Sequence, residues 1–134
     1  MQLPIQETTF TFSEVSEETG LKYEGDFTVK TRLSIKEKMD LQKTKLRLIG
    51  DTSLVNDSYA ALENMAQVVA TFRARILKAP TWFNQSDYGQ NLEDTNIFYK
   101  LYKAVEDSEK QWNEKLKKMA DSSKETADVL PNDQ

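Results

Sequence analysis

The sequence predicts an α+β domain in which an N-terminal antiparallel β-hairpin or small sheet packs on three α-helices. Three observations predict it. Apolar residues alternate with a period of two as far as Lys30, and from Ser34 onward they recur at intervals of three and four. The length of 134 residues fits one domain whose core can stand without metal or disulfide support. The domain is expected over residues 1–120, with 121–134 as a flexible polar tail.

The first strand is expected around Thr8-Thr9-Phe10-Thr11-Phe12, which puts both phenylalanines on one face. A turn-like acidic stretch follows from Ser13 to Gly20. From Leu21 to Lys30 the alternation resumes: Leu21, Tyr23, Phe27 and Val29 share one face, and Lys22, Glu24, Asp26, Thr28 and Lys30 the other. Gly25 within that strand points to a bulge or to a close approach of another part of the chain. A hairpin alone is marginal in water, so the strands must pack on helices or pair with another chain.

Ser34 and Glu37 have the spacing of a capping box, which starts a helix expected to run to Ile49 and stop at Gly50. Ile35, Met39, Leu46 and Ile49 form its apolar stripe, interrupted by Gln42 and flanked by Leu41 and Leu48. A second helix is expected from Asn56 or Asp57 to just before Pro80, a length of about 33 Å. Its apolar row is Val55, Tyr59, Leu62, Met65, Val69, Phe72 and Ile76, which reads as the central core helix. Residues 79–93 read as an aromatic loop carrying Trp82, Phe83 and Tyr88. A third helix is expected from Asp94 to Ala120 on Phe98, Leu101, Val105, Trp112, Leu116 and Met119, with Glu106–Lys110 and Glu114–Lys118 as supporting pairs.

Composition narrows the function. There is no cysteine and no histidine, which removes the commonest general base, the commonest metal ligand and the thiolate nucleophile. The four glycines are too scattered for a phosphate-cradling loop, and no serine sits in a Gly-x-Ser-x-Gly setting. The paired carboxylates Glu93–Asp94 and Glu106–Asp107 are adjacent in sequence, a poor arrangement for an acid/base dyad. Asn84 to Gly89 places glycine sixth, as in a calcium loop, but Tyr88 and Thr95 stand where oxygen ligands belong. No catalytic residue, cofactor site or metal site is therefore expected. No apolar run nears the roughly 20 residues that span a bilayer, and Met1 to Glu7 lacks the features of a signal peptide. The expected location is the cytosol, with no membrane partner.

Charge is uneven within a net −4. Residues 1–29 hold six acids and one base, whereas 30–47 hold seven bases: Lys30, Arg32, Lys36, Lys38, Lys43, Lys45 and Arg47. This basic segment is a candidate phosphate-binding patch, set against the simpler reading of a solvated helix face. The candidate partner-binding residues are Phe10, Phe12, Trp82, Phe83 and Tyr88, because aromatic side chains dominate both cores and interface hot spots. Trp82 and Phe83 are expected to fold back as a lid, leaving Tyr88 accessible.

Two stretches carry a resemblance. Tyr23-Glu24-Gly25-Asp26-Phe27-Thr28-Val29-Lys30 leads through Leu33-Ser34 into a helix. Trp82-Phe83-Asn84-Gln85-Ser86-Asp87-Tyr88-Gly89 leads through Leu92 into a helix bearing Tyr99, Tyr102 and Trp112. In these, residues 21–118 resemble small bacteriophage virion and tail-assembly proteins. The resemblance implies a non-enzymatic structural or assembly protein, a virion component or a tail-assembly chaperone. Its partners would be other phage structural or assembly proteins, with a homo-oligomer left open. It would reside in the host cytoplasm or within the virion. The alternatives are a nucleic-acid-binding protein using residues 30–47, which is the less expected, and a small inhibitor or adaptor of a host protein.

Overall fold

The computed structural model describes residues 7–50 and 57–129. Its elements are β1 (Glu7–Val15), β2 (Lys22–Lys30), α1 (Ile35–Ile49), α2 (Asp57–Arg75), β3 (Ile76–Lys78), α3 (Thr81–Asn84) and α4 (Thr95–Val129). The three strands form an antiparallel sheet in the order β1-β2-β3, so the chain is α+β. Among the expected features, Val55 and Asn56 at the start of the second helix and residues 130–134 of the tail lie outside the described residues.

β1 and β2 pair in one unbroken register from Glu7↔Lys30 to Val15↔Lys22. Alternation places Phe12, Phe27 and Val29 in the interior. The other face is polar and wet. There Thr9 and Thr28 share a hydroxyl hydrogen bond of 2.9 Å, and the Thr11 hydroxyl donates to Asp26 at 2.7 Å, the cross-strand contacts that stabilise a half-solvated sheet. Leu21, expected inside, is 59% exposed because it lies in the turn before β2. Gly25 keeps the β1 register and is not a bulge; the close approach is real. A Cβ there would lie 2.6 Å from Pro80 Cβ.

α1 begins as expected. The Ser34 hydroxyl accepts from the Glu37 amide (3.1 Å), and Glu37 Oε1 accepts from the Ser34 amide (2.9 Å). Glu37 Oε2 also accepts from Lys30 Nζ, tying α1 to the end of β2. The lysine first, and then the Ser34 amide, hold the Glu37 carboxyl down to about 2. A depressed carboxyl stabilises the fold above its ordinary range, and that stability is lost as pH falls through the folded value. Glu37→Gln keeps the cap but removes the charge. The wild type should melt higher than this variant at neutral pH, and the gap should close between pH 4.5 and about 2, as scanning calorimetry across that window would read. About a third of the side chain is open to water, so screening keeps the effect small.

Of the stripe expected to bury α1, only its last member, Ile49, is buried, at 8% exposed. Ile35, Met39 and Leu46 are 71%, 56% and 66% exposed. The buried side is the flanking row of Leu41, Thr44 and Leu48, which turns toward α2. The Lys45–Glu63 contact (3.5 Å) fastens it there. α1 therefore carries apolar side chains on two opposite faces, and packing on α2 uses only one.

α2 stops at Arg75, short of Pro80. Ile76 to Lys78 straighten and pair with β2 instead, through Val29↔Ile76 and Thr28↔Lys78 with a register shift between them. The pairing covers the second edge of β2, and the residue before a proline is disfavoured in a helix. Of the expected α2 row, Val69 and Phe72 are buried, but Leu62 and Met65 are 37% and 42% exposed. Between Val68 and Phe72 every residue is buried, because the middle of α2 is enclosed on all sides.

α4 runs beyond Ala120 to Val129, so the stretch 121–129 expected as tail is helical. At 35 residues it is about 52 Å long. Ile97, Phe98, Leu101 and Val105 enter the core, and from Asn113 to Asp121 most side chains face water. Among the described residues, the ion pairs of α4 run to other elements, Arg75–Glu109 (2.9 Å) and Glu14–Lys100 (3.1 Å). Arg75 also donates to the Lys30 carbonyl at 3.1 Å, joining α2, β2 and α4 through one side chain.

Candidate interaction surface

Segment 79–93 is held by the strands it crosses. Trp82 Nε1 donates to the Glu24 carbonyl at 3.0 Å, and its ring meets Tyr23, Phe27 and Phe83 edge-on at 5.1 to 6.2 Å. Phe83, 2% exposed, bridges Phe27 and Phe72. Trp82 and Phe83 are thus a lid on the core. Of the five candidate partner-binding aromatics, Phe12 (4% exposed) and Phe83 are interior residues that no partner can reach without unfolding. Phe10 is half-buried and stacked on Phe27 at 5.4 Å, and Trp82 is half-buried. Tyr88 alone of the five is open to solvent, at 37%.

Tyr88 is presented by an unusual turn. Asp87 and Tyr88 have φ of 53° and 56°, and Gly89 follows at 89°. Left-handed backbone at two successive non-glycine residues costs on the order of 1 kcal/mol or more each, and survives only when its surroundings dictate it. Here they do. The Ser86 hydroxyl donates to the Phe83 carbonyl (2.6 Å) and accepts from the Gly89 amide (2.9 Å). Gly89 sits against the rings of Phe72 and Phe98, where a Cβ would meet both at 3.2 Å. The Arg73 guanidinium lies 5.6 Å above the Tyr88 ring. The calcium-like spacing of 84–89 serves this turn: the Asn84 amide donates to the Ala79 carbonyl, and the Asp87 carboxylate accepts from Gln90. Among the described residues, no three acidic side chains converge as a metal site would need.

Asp94 is 4% exposed and caps α4, its Oδ1 accepting from the amides of Asn96 (2.9 Å) and Ile97 (3.2 Å). Its Oδ2 accepts from the Ser16 hydroxyl in the hairpin turn. That hydroxyl, and then the two amides, hold the carboxyl below its usual range against the opposing effect of burial. Tyr102 is pushed the other way, up to about 12, by burial and then by Glu106. Both are structural anchors within or at the end of α4.

Of the seven bases of 30–47, three have partners within the fold. Lys30 is tied to Glu37 and Lys45 to Glu63, while Arg47 donates to the Thr44 hydroxyl (3.2 Å). Arg32, Lys36, Lys38 and Lys43 are exposed, and those on α1 stand on either side of its outward apolar row. An apolar cleft of about 250 Å³ lies between α1, α2 and the approach to α4, lined by Leu48, Leu62, Met65, Val69, Leu92 and Phe98. The exposed apolar row on α1 and the rim of this cleft are the surface features the sequence reading missed, since their spacing is the same as that of a core stripe.

No family model, curated protein or solved structure matches this chain. No helix among the described residues is long and apolar enough to cross a membrane.

Proposed function

We propose that this chain is a non-enzymatic interaction module of a bacteriophage, a virion component or a tail-assembly chaperone that acts by protein–protein contact. The observation that carries it is the long, regular edge of β1. β1 stands at the margin of the sheet, nine residues long and in unbroken register with β2. It contains no lysine, no proline and no bulge, three of the devices by which sheet margins resist pairing with other chains, and its charged residues are Glu7 and Glu14, the latter paired with Lys100 of α4. Such an edge is suited to accept a strand from a partner, with main-chain hydrogen bonds giving affinity and alternate side chains giving selectivity. The two stretches that resemble phage assembly proteins support the same reading, since one is β2 and the other is the turn that presents Tyr88. Host cytoplasm or virion is the location this implies.

The test is mass spectrometry on purified particles and on complexes isolated during infection. Presence in particles at a fixed ratio supports a virion component; binding to a tail protein during infection without presence in particles supports a chaperone. Absence from both removes the phage reading. Tyr88→Ala should leave the fold intact with a melting temperature lower by several degrees at most, since it removes one cation–π contact worth about 0.5–1 kcal/mol and one edge-on contact with Phe83 at 6.5 Å, while weakening capture of the phage partner. Unchanged capture would take the turn out of the interface.

A further inference from the structure

We infer that the outer face of α1 is one half of a short coiled coil and receives an acidic α-helix of a partner protein. This rests on the reading of the chain as an interaction module, not on its phage origin. The exposed row Ile35, Met39, Gln42 and Leu46 advances by four, three and four residues, which is the alternation of d and a positions in a heptad. The row is 71%, 56% and 66% exposed at its three apolar members, on the side of the helix opposite Leu41, Thr44 and Leu48.

The positions beside the row decide the partner. In this register Lys36 and Lys43 are the e residues, and Lys38 and Lys45 the g residues. All four are lysine. Lys36, Lys38 and Lys43 form no ion pair among the described residues, whereas Lys45 is shared with Glu63. A second copy of α1 would set lysine against lysine along both flanks, so the face disfavours self-pairing. A helix with glutamate or aspartate at e and g matches it on both sides. Gln42, polar at the middle of the seam, is the kind of residue that fixes register at some cost in affinity.

An anionic membrane would also meet apolar residues rimmed by lysine. Helices that lie in that interface favour tryptophan, phenylalanine and leucine on the buried face, and this row has no aromatic residue and a glutamine at its centre. α1 is already ordered by its capping box and by α2, so a partner helix meets a preformed seam and does not bear the cost of ordering it.

The experiment uses the full chain and two synthetic 21-residue peptides, with leucine at a and d, an asparagine facing Gln42, and either glutamate or lysine at every e and g position. Fluorescence anisotropy should show the glutamate peptide binding at least about tenfold more tightly than the lysine peptide. Met39→Asp with Leu46→Asp should abolish binding at unchanged circular dichroism, because both side chains are exposed. Lys36→Glu with Lys38→Glu and Lys43→Glu should reverse the preference toward the lysine peptide. Equal binding of both peptides, no binding of either, or no effect of the Met39/Leu46 variant would overturn the inference. So would binding to phosphatidylserine vesicles, lost in that variant, without any peptide binding. The peptide assay contains no phage component: if it succeeds and the particle analysis fails, only the phage reading falls, and the reverse outcome removes only the coiled-coil seam.

Discussion

Phe27→Asp is expected to yield a chain that does not fold, and Phe27→Ala one that has lost a large share of its stability. Phe27 is fully buried and sits at the meeting point of four other aromatic rings. It is stacked on Phe10 and edge-on or perpendicular to Phe12, Trp82 and Phe83, all within 6.2 Å. Through Phe83 the cluster continues to Phe72 of α2 and from there to Phe98 of α4. One side chain thus joins the hairpin, the lid and both central helices. Truncating a buried phenylalanine costs about 3–5 kcal/mol, against a total of about 5–15 kcal/mol for a domain. An unpaired carboxylate at the same place costs several kcal/mol more. Urea unfolding followed by far-ultraviolet circular dichroism would measure it. A loss below about 1 kcal/mol for Phe27→Ala, the scale of a surface change, would mean that the aromatic cluster is not what holds these elements together.

Gly25→Ala should be the most damaging single methyl group added anywhere in the hairpin. The new Cβ would overlap the Pro80 ring at 2.6 and 2.7 Å. Neither side can yield cheaply. Gly25 is fixed by its pairing with Phe12, and Pro80 by the helical turn it begins, where its carbonyl accepts from the amides of Phe83 (3.0 Å) and Asn84 (3.1 Å). Overpacking of this kind costs about 1–3 kcal/mol. The strain would pass to Trp82, whose hydrogen bond ends on the carbonyl of the residue before Gly25. Pro80→Gly removes the opposing ring, so Gly25→Ala should cost much less in that background. A double-mutant cycle showing simple additivity would place the damage somewhere other than this contact.

Much of this architecture was legible in the sequence, for local reasons. β2 follows from strict alternation, and α1 from a capping box and a glycine stop, signals that depend only on neighbouring residues. The close approach at Gly25 was readable as one of two meanings of a glycine inside a strand, although its counterpart Pro80 was not. A small sheet was expected, but not that its third strand would come from Ile76 to Lys78, because these residues continue the helical spacing of α2 and leave it only to cover β2. The outward face of α1 was read as core, since Ile35, Met39 and Leu46 have the spacing of a buried stripe; periodicity shows that a helix has an apolar side, not which way it points. Four flanking lysines were the signal that it points outward. For the candidate site, Tyr88 was placed correctly as the accessible aromatic, while Phe12 and Phe83 went to the interior because inward-facing positions of a strand and a lid are filled first.

The contact between Ser16 and Asp94 spans 78 residues of sequence. A ribosome releases the hairpin turn long before it makes the carboxylate that receives the Ser16 hydroxyl, and before Phe83 and Phe98 exist to enclose the rings of β1 and β2. During synthesis the aromatic side of the hairpin is therefore open for as long as the rest of the chain takes to appear. A lone hairpin is marginal in water, so β1 and β2 settle into their sheet only once these later residues arrive, and a partner strand that meets β1 earlier would take the place of that missing cover.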